Sequence, residues 1–155
     1  MNIIPEWVPA IVADRNDMNP RLIYADVLQD NGDDEQADFI RASIYAPYSL
    51  AKRCEMRLLW DSGIMRRYDE YLEPFRIKPV LNSANRMGTR CNIVNGFPFS
   101  SYYPGRQLDN YNLFIEACPT LQYIYTCYVG IHFHGFTFQH SEKRGGLHRW
   151  SRTNG

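Results

Sequence analysis

Residues 20–44 read PRLIYADVLQDNGDDEQADFIRASI. Whether this stretch holds helices or a metal loop decides how the N-terminal part folds. Asn19 before Pro20 is an N-cap followed by proline at the first helical position, where the missing N–H costs nothing. The pattern therefore predicts a helix from Pro20 to about Asp30. Gly32 can take the left-handed conformation that closes it, and Asp33 then caps a further helix, with Gln36 completing a capping box. Asp34 and Glu35 fall in the first turn of that helix, where the dipole favours acids by about 0.3–1 kcal/mol each. Tyr24 and Leu28, then Ala37, Ile40 and Ile44, give the two helices apolar stripes, so an antiparallel helical hairpin is expected.

Calcium is the competing explanation for so many acids around one glycine. An EF-hand loop needs its glycine at the sixth position, which would put Val27 at the first ligand position, where a carboxylate is required. The register fails, and the acids read as helix ends. Asp26 is different, because aspartate is a poor interior helix residue and needs something to hold it. Arg41 across the hairpin is the expected partner, with Arg21 the alternative. A structural ion pair is preferred here over a catalytic acid.

Upstream, Ile3 to Ala13 reads as a short helix with Pro5 in its first turn, ended by the polar run Asp14–Asp17. Downstream, Ser49 opens a long helical pattern through Leu50, Cys54, Leu58 and Leu59, with Gly63 as a break before Met65, Tyr68, Leu72 and Phe75. Pro74 and Pro79 mark its end. From Asn82 the texture changes to loop residues and then to CNIVNGFPFSSYY, a strand region with an Asn95-Gly96 turn. Asp109 to Cys118 is a further helix, and LQYIYTCYV and IHFHGFTFQH read as strands. A strand, helix and strand in succession form a crossover unit that leads to parallel pairing. The segment from Ser141, with Lys143, Arg144, Arg149 and Arg152 against one acid, reads as a peripheral basic tail.

A chain of 155 residues is the size of one domain, and 45% hydrophobic with 14% aromatic content is that of a folded protein. Charge is zero overall but unevenly placed: residues 14–38 hold eight acids and two bases, residues 41–90 ten bases and five acids. A neutral chain of pI about 6.9 lacks the field of a dedicated nucleic-acid binder. Cys54, Cys91, Cys118 and Cys127 form no C-x-x-C pair and read as reduced core thiols. The start carries no basic region of a secretory signal and no run of apolar residues suits a membrane span, so a cytoplasmic protein without membrane contact is expected.

Catalytic-type side chains concentrate only in IHFHGFTFQH. If extended, it offers His132 and His134 as an i, i+2 pair of the kind some strand-borne zinc sites use. A third ligand is missing: His140 lies too far along the strand, and Cys127 or a distant carboxylate would have to serve. No metal or other cofactor is therefore expected, and a metal-dependent hydrolase at His132 and His134 stands as an alternative. Nucleotide-binding and nucleophile-elbow motifs are missing too. The tyrosines of the strand region, Tyr102, Tyr103, Tyr123, Tyr125 and Tyr128, suit an interface, since each offers apolar area and a hydroxyl. A second alternative is nucleic-acid binding through Lys52, Arg53, Arg57, Arg66 and Arg67 with the basic tail.

Residues 20–44 also resemble the signature of the repeat-companion domain, a short module found beside or within leucine-rich-repeat-type proteins of certain bacteria. The likeness rests on Pro20-Arg21-Leu22, Tyr24-Ala25-Asp26, Leu28, Gly32-Asp33, Ala37, Phe39, Ile40 and Arg41, with Ile11 to Asp17 fitting the usual lead-in. Val27 stands where that family usually has tryptophan, and Asp38 where it usually has glutamate. Asn95-Gly96-Phe97 and the strand, helix and strand after it are similar to the region downstream of the signature in relatives. The resemblance implies a structural Asp26–Arg41 pair and one or two degenerate leucine-rich-repeat-like units, and it leaves function open.

Together these readings predict an α+β protein. A helical region spans 1–80 and contains the 20–44 hairpin, a small sheet with one crossover helix spans 81–140, and the basic tail spans 141–155. The expected function is a non-enzymatic protein-interaction module, adaptor or inhibitor, that meets a protein partner. Its surface would be the tyrosine-rich sheet or the acids Asp30, Asp33, Asp34 and Glu35, whose charge would speed encounter with a basic partner.

Overall fold

The computed structural model describes residues 7–14, 16–81, 90–103, 108–126, 131–139 and 147–153. Helices occupy the N-terminal half and a six-stranded mixed sheet follows, so the chain is α+β. It divides into two compact units: residues up to Tyr71 with Val94–Phe97, and Leu72–Ile93 with the chain from Pro98 onward.

The first unit contains α1 (Val8–Ala13), α2 (Asn19–Asp30), α3 (Asp34–Tyr45), α4 (Leu50–Leu59), a π-helical turn (Trp60–Ile64) and α5, Met65–Leu72, up to Tyr71. Helix α2 begins one residue before the predicted start. Met18 is its N-cap, and Asn19 donates its backbone N–H to Asp17 Oδ1 at 2.9 Å instead of capping. Gly32 closes α2 with φ of 82°, as a residue in the left-handed region must. Asp33 Oδ1 accepts from the Gln36 N–H at 3.4 Å, but the return half of the capping box does not form. The Gln36 amide is buried and donates to the Tyr68 hydroxyl at 2.8 Å, and that hydroxyl donates to the Gly96 carbonyl.

Ile11, Tyr24, Ala25, Leu28, Ala37, Ile40, Ile44 and Phe97 pack into one core, with the Tyr24 and Phe97 rings 5.5 Å apart. Beside Gln36, Trp60 stacks on Tyr68 at 5.8 Å and Phe39 lies 5.8 Å from Trp60. Gly63 does not break the helix as expected. The chain absorbs one extra residue in the π-turn, and a β-carbon on Gly63 would meet Glu35 Oε1 at 3.0 Å, so a bare position lets that carboxylate approach.

The second unit contains a 3-10 turn (Glu73–Phe75), β1 (Lys78–Leu81), β2 (Arg90–Val94, except its last residue), β3 (Phe97–Tyr103, from Pro98), α6 (Leu108–Ala117), β4 (Tyr123–Thr126), β5 (Phe136–Gln139) and β6 (His148–Arg152). Strand order is β1-β2-β3-β4-β6-β5. β1 runs parallel to β2, β3 parallel to β4 across the α6 crossover, and β6 antiparallel to both β4 and β5. The first strand starts at Lys78, ahead of the predicted change at Asn82. Pro79 is tolerated in it because β1 is an edge strand.

The largest departure is the basic tail. Residues His148–Arg152 form β6, inside the sheet between β4 and β5. Trp150 is buried, with its ring 5.4 Å from Phe133 and 5.2 Å from Phe138. Arg152 donates from Nε to the Leu121 carbonyl at 2.7 Å and from Nη2 to the Ile115 and Cys118 carbonyls at 3.3 Å. Its charge lies among carbonyls at and just past the C-terminal end of α6, where cations are favoured. Burial lowers the Arg152 pKa from its ordinary value, with Cys118 acting the other way.

Cys91 and Cys118 are buried, whereas Cys54 is exposed and is not the core thiol expected. Tyr103 and Tyr111 pack at 4.7 Å beside Cys91 and Phe133. Burial pushes the Cys91 thiol and the Tyr111 phenol well above their ordinary values of 9.0 and 10.0. Both groups are thus held protonated in the fold. A folded pKa above the unfolded one means that the stabilisation is complete below the unfolded value and is lost as pH rises past it. The urea midpoint should therefore fall as pH climbs beyond 9.0. A flat profile through that range would contradict the buried placement of these groups.

Candidate functional site

Register and alternation place the sheet tyrosines. Tyr102 pairs with Tyr125, Ser100 with Tyr123, and Tyr123 with Ser151. Residues Tyr103, Ile124 and Trp150 take the opposite face, where Tyr111 of α6 packs on Tyr103. Tyr102, Tyr123 and Tyr125 are half-buried on the face away from α6. Around Tyr123 the aromatic contacts continue, with Phe99 edge-on at 5.4 Å and Tyr125 at 6.5 Å. The Arg149 guanidinium sits 5.4 Å from the Tyr123 ring centroid and donates to Gln139 Oε1 at 2.8 Å. Such a cation over an aromatic face is worth about 0.5–1 kcal/mol when exposed. Tyr103 does not belong to this surface: it is buried in the core. Tyr128 lies outside the described residues.

The acidic hairpin is less charged than its sequence. Asp30 and Asp34 are exposed, but Arg67 takes up the other two acids, with Nη1 2.6 Å from Asp33 Oδ1 and Nη2 3.0 Å from Glu35 Oε2. Ser62 Oγ adds a 3.4 Å hydrogen bond to Glu35. The hydrogen bond to Asp33, before any other cause, raises the Arg67 pKa. Arg41 Nη2 lies 2.6 Å from Asp26 Oδ1 and donates to Gln29 Oε1 at 2.8 Å, while Nη1 reaches Asp38 at 3.4 Å. Asp26 is 67% exposed, so the pair contributes about 0–1 kcal/mol. Arg21, the alternative partner, is buried instead, donating to the Asp17 carbonyl at 2.9 Å and the Ile11 carbonyl at 3.5 Å. Burial lowers its pKa, with Asp14 and Asp17 opposing.

The histidine pair is not on a strand. His134 and Gly135 form a turn, with Gly135 at φ 73°, and β5 starts only at Phe136. His132 and His134 are exposed, and the His132 ring meets Trp150 edge-on at 6.1 Å. Cys127 and His140 lie outside the described residues. Among the described residues, no three of His, Cys, Asp and Glu come together as metal ligands.

The basic helix is largely neutralised: Lys52 pairs with Glu55 at 2.7 Å, Arg66 with Glu70 at 3.6 Å, and Arg67 with the hairpin acids. Arg53 and Arg57 remain exposed. The long helix also turns the other way from its expected stripe. Met56 and Trp60 are buried, whereas Leu50 is 71% and Leu58 70% exposed, with exposed Cys54 between them. The spacing of Met56, Trp60 and Ile64 carries the inward signal that a reading centred on the leucines misses.

No helix among the described residues is long and apolar enough to cross a membrane. Compared with protein-family models, with curated proteins and with solved structures, the chain matches none.

Proposed function

We propose that this chain is a non-enzymatic protein-interaction module, adaptor or inhibitor, whose contact surface is the tyrosine-bearing sheet face of the second unit. One observation carries the reading: Tyr102 and Tyr125 are register neighbours on β3 and β4, with Tyr123 next along β4 under Arg149. Half-buried tyrosines offer a partner rigid apolar area at little entropic cost, and tyrosine and arginine are the residues enriched among interface hot spots. The resemblance of residues 20–44 to the repeat-companion signature belongs to the same reading, and β3–α6–β4 is the segment to compare with a degenerate leucine-rich-repeat-like unit.

The test is a pull-down of tagged protein from its native cell extract at low and high salt, with bound protein and nucleic acid both quantified. One recurrent stoichiometric protein is the expected result. Tyr123→Ala with Tyr125→Ala should weaken its capture by about a hundredfold, the scale of losing hot-spot side chains. Arg149→Glu, at an exposed position, should weaken it as well while costing no more than about 1 kcal/mol of stability from the lost contact with Tyr123. Capture unchanged in both variants would remove the sheet face from the interface.

A further inference from the structure

We infer that the solvent face of α4 is a second docking surface and that its occupant is an amphipathic helical segment of a protein partner, acidic along one flank. This inference goes beyond the sheet reading and uses different residues. At 100° per residue, Leu50, Cys54 and Leu58 lie within one stripe of α4, with Ala51 beside them. Arg53 and Arg57 lie together along one side of that stripe, on the same helical face. All six residues are exposed.

Soluble helices normally turn their apolar stripe inward. Here the inward positions are already filled by Met56 and Trp60, so the leucines are surplus to the core. Tyr48, 87% exposed just before the Ser49 cap, is a further large apolar side chain left out of the core at this end of the helix. Contiguous exposed apolar surface of this kind marks a contact site.

Charge decides the occupant. Lys52 is bound to Glu55 at 2.7 Å, which leaves Arg53 and Arg57 as the cations facing outward beside the stripe. A partner helix lying along α4 would seat its own leucines on Leu50 and Leu58 and set acids against the two arginines. A second copy of this chain fits poorly. Two-fold antiparallel pairing sets arginine flank against arginine flank, and parallel pairing offers Arg53 and Arg57 only Ala51 and a Glu55 that Lys52 already holds.

The test uses the full chain and two labelled helix-forming peptides that share a leucine stripe, one with glutamates and one with lysines along a single flank. By fluorescence anisotropy at low salt, the glutamate peptide should bind at least about tenfold more tightly than the lysine peptide. Leu50→Asp with Leu58→Asp should abolish binding, and Arg53→Glu with Arg57→Glu should invert the preference. These side chains are exposed, so the unfolding midpoints should stay in place. Failure of both peptides to bind, or equal affinity for them, overturns the inference. So does duplex DNA binding to the arginines without regard to the leucines. A chain that sediments as a dimer and becomes monomeric in the leucine variant assigns the stripe to a second copy instead. Failure of this test leaves the sheet reading standing, since Tyr123→Ala and Tyr125→Ala are judged on a separate partner.

Discussion

Gly96→Ala should destabilise the protein by about 3 kcal/mol, the sum of placing a side chain at positive φ and overpacking a core. Gly96 lies at φ 81°, and a β-carbon there would be 2.4 Å from Ile40 Cγ1 and 3.5 Å from the Ile40 Cα. Ile40 is fully buried in α3 among Tyr24, Leu28 and Phe97, so it has little room to retreat. The same substitution at Gly32 is the internal control. Its φ is 82°, but nothing lies within 4 Å of the added carbon. Gly32→Ala should therefore cost only the backbone part, about 1–2 kcal/mol. Urea unfolding of the pair separates the two effects. Equal losses would mean that the contact with Ile40 relaxes at no cost.

Trp150→Ala should cost about 3–5 kcal/mol, the range for emptying an aromatic site in a core. The indole is buried on an interior strand and packs against Phe133, Phe138 and His132. A residue on a peripheral tail would cost under about 0.5 kcal/mol, so one unfolding curve separates the two descriptions of this segment. Lost Trp150 packing should also release the His132 ring, giving a shift in its proton resonances before any unfolding.

The helical hairpin was legible because local chemistry specifies it. Pro20, Gly32 and Asp33 each suit a helix end, and each takes its place there: Pro20 in the first turn of α2, Gly32 at positive φ after it, and Asp33 as the cap of α3. The α+β division was legible for a similar reason, since from Asn82 loop residues and then β-branched and aromatic residues replace the helical spacing. Strand β6 was not, because HRWSR is mostly polar and lacks the alternation of a strand, and its insertion beside β4 skips over the intervening β5. Helix α4 carries apolar residues on both faces, and periodicity alone cannot say that the larger Met56 and Trp60 win the inside. Tyr102 and Tyr103 illustrate the same limit at one-residue resolution: a strand sends them to opposite faces, and only the position of α6 tells which is covered. The acids of the hairpin could be named as helix ends, but the arrival of Arg67 from a distant helix could not be.

The position of β6 also bears on how the protein is made. In the chain, β4 is followed by β5 and only then by β6, yet in the sheet β6 separates the other two. On the ribosome, β4 can pair with β3 as soon as it emerges, while β5 has no neighbour to hold it until His148–Arg152 has left the exit tunnel. The nascent chain thus passes through a stage in which β4 presents a bare edge and Phe136 and Phe138 are uncovered. That is the interval in which an unpaired edge and exposed aromatics invite association between chains, and in which a chaperone would find its grip.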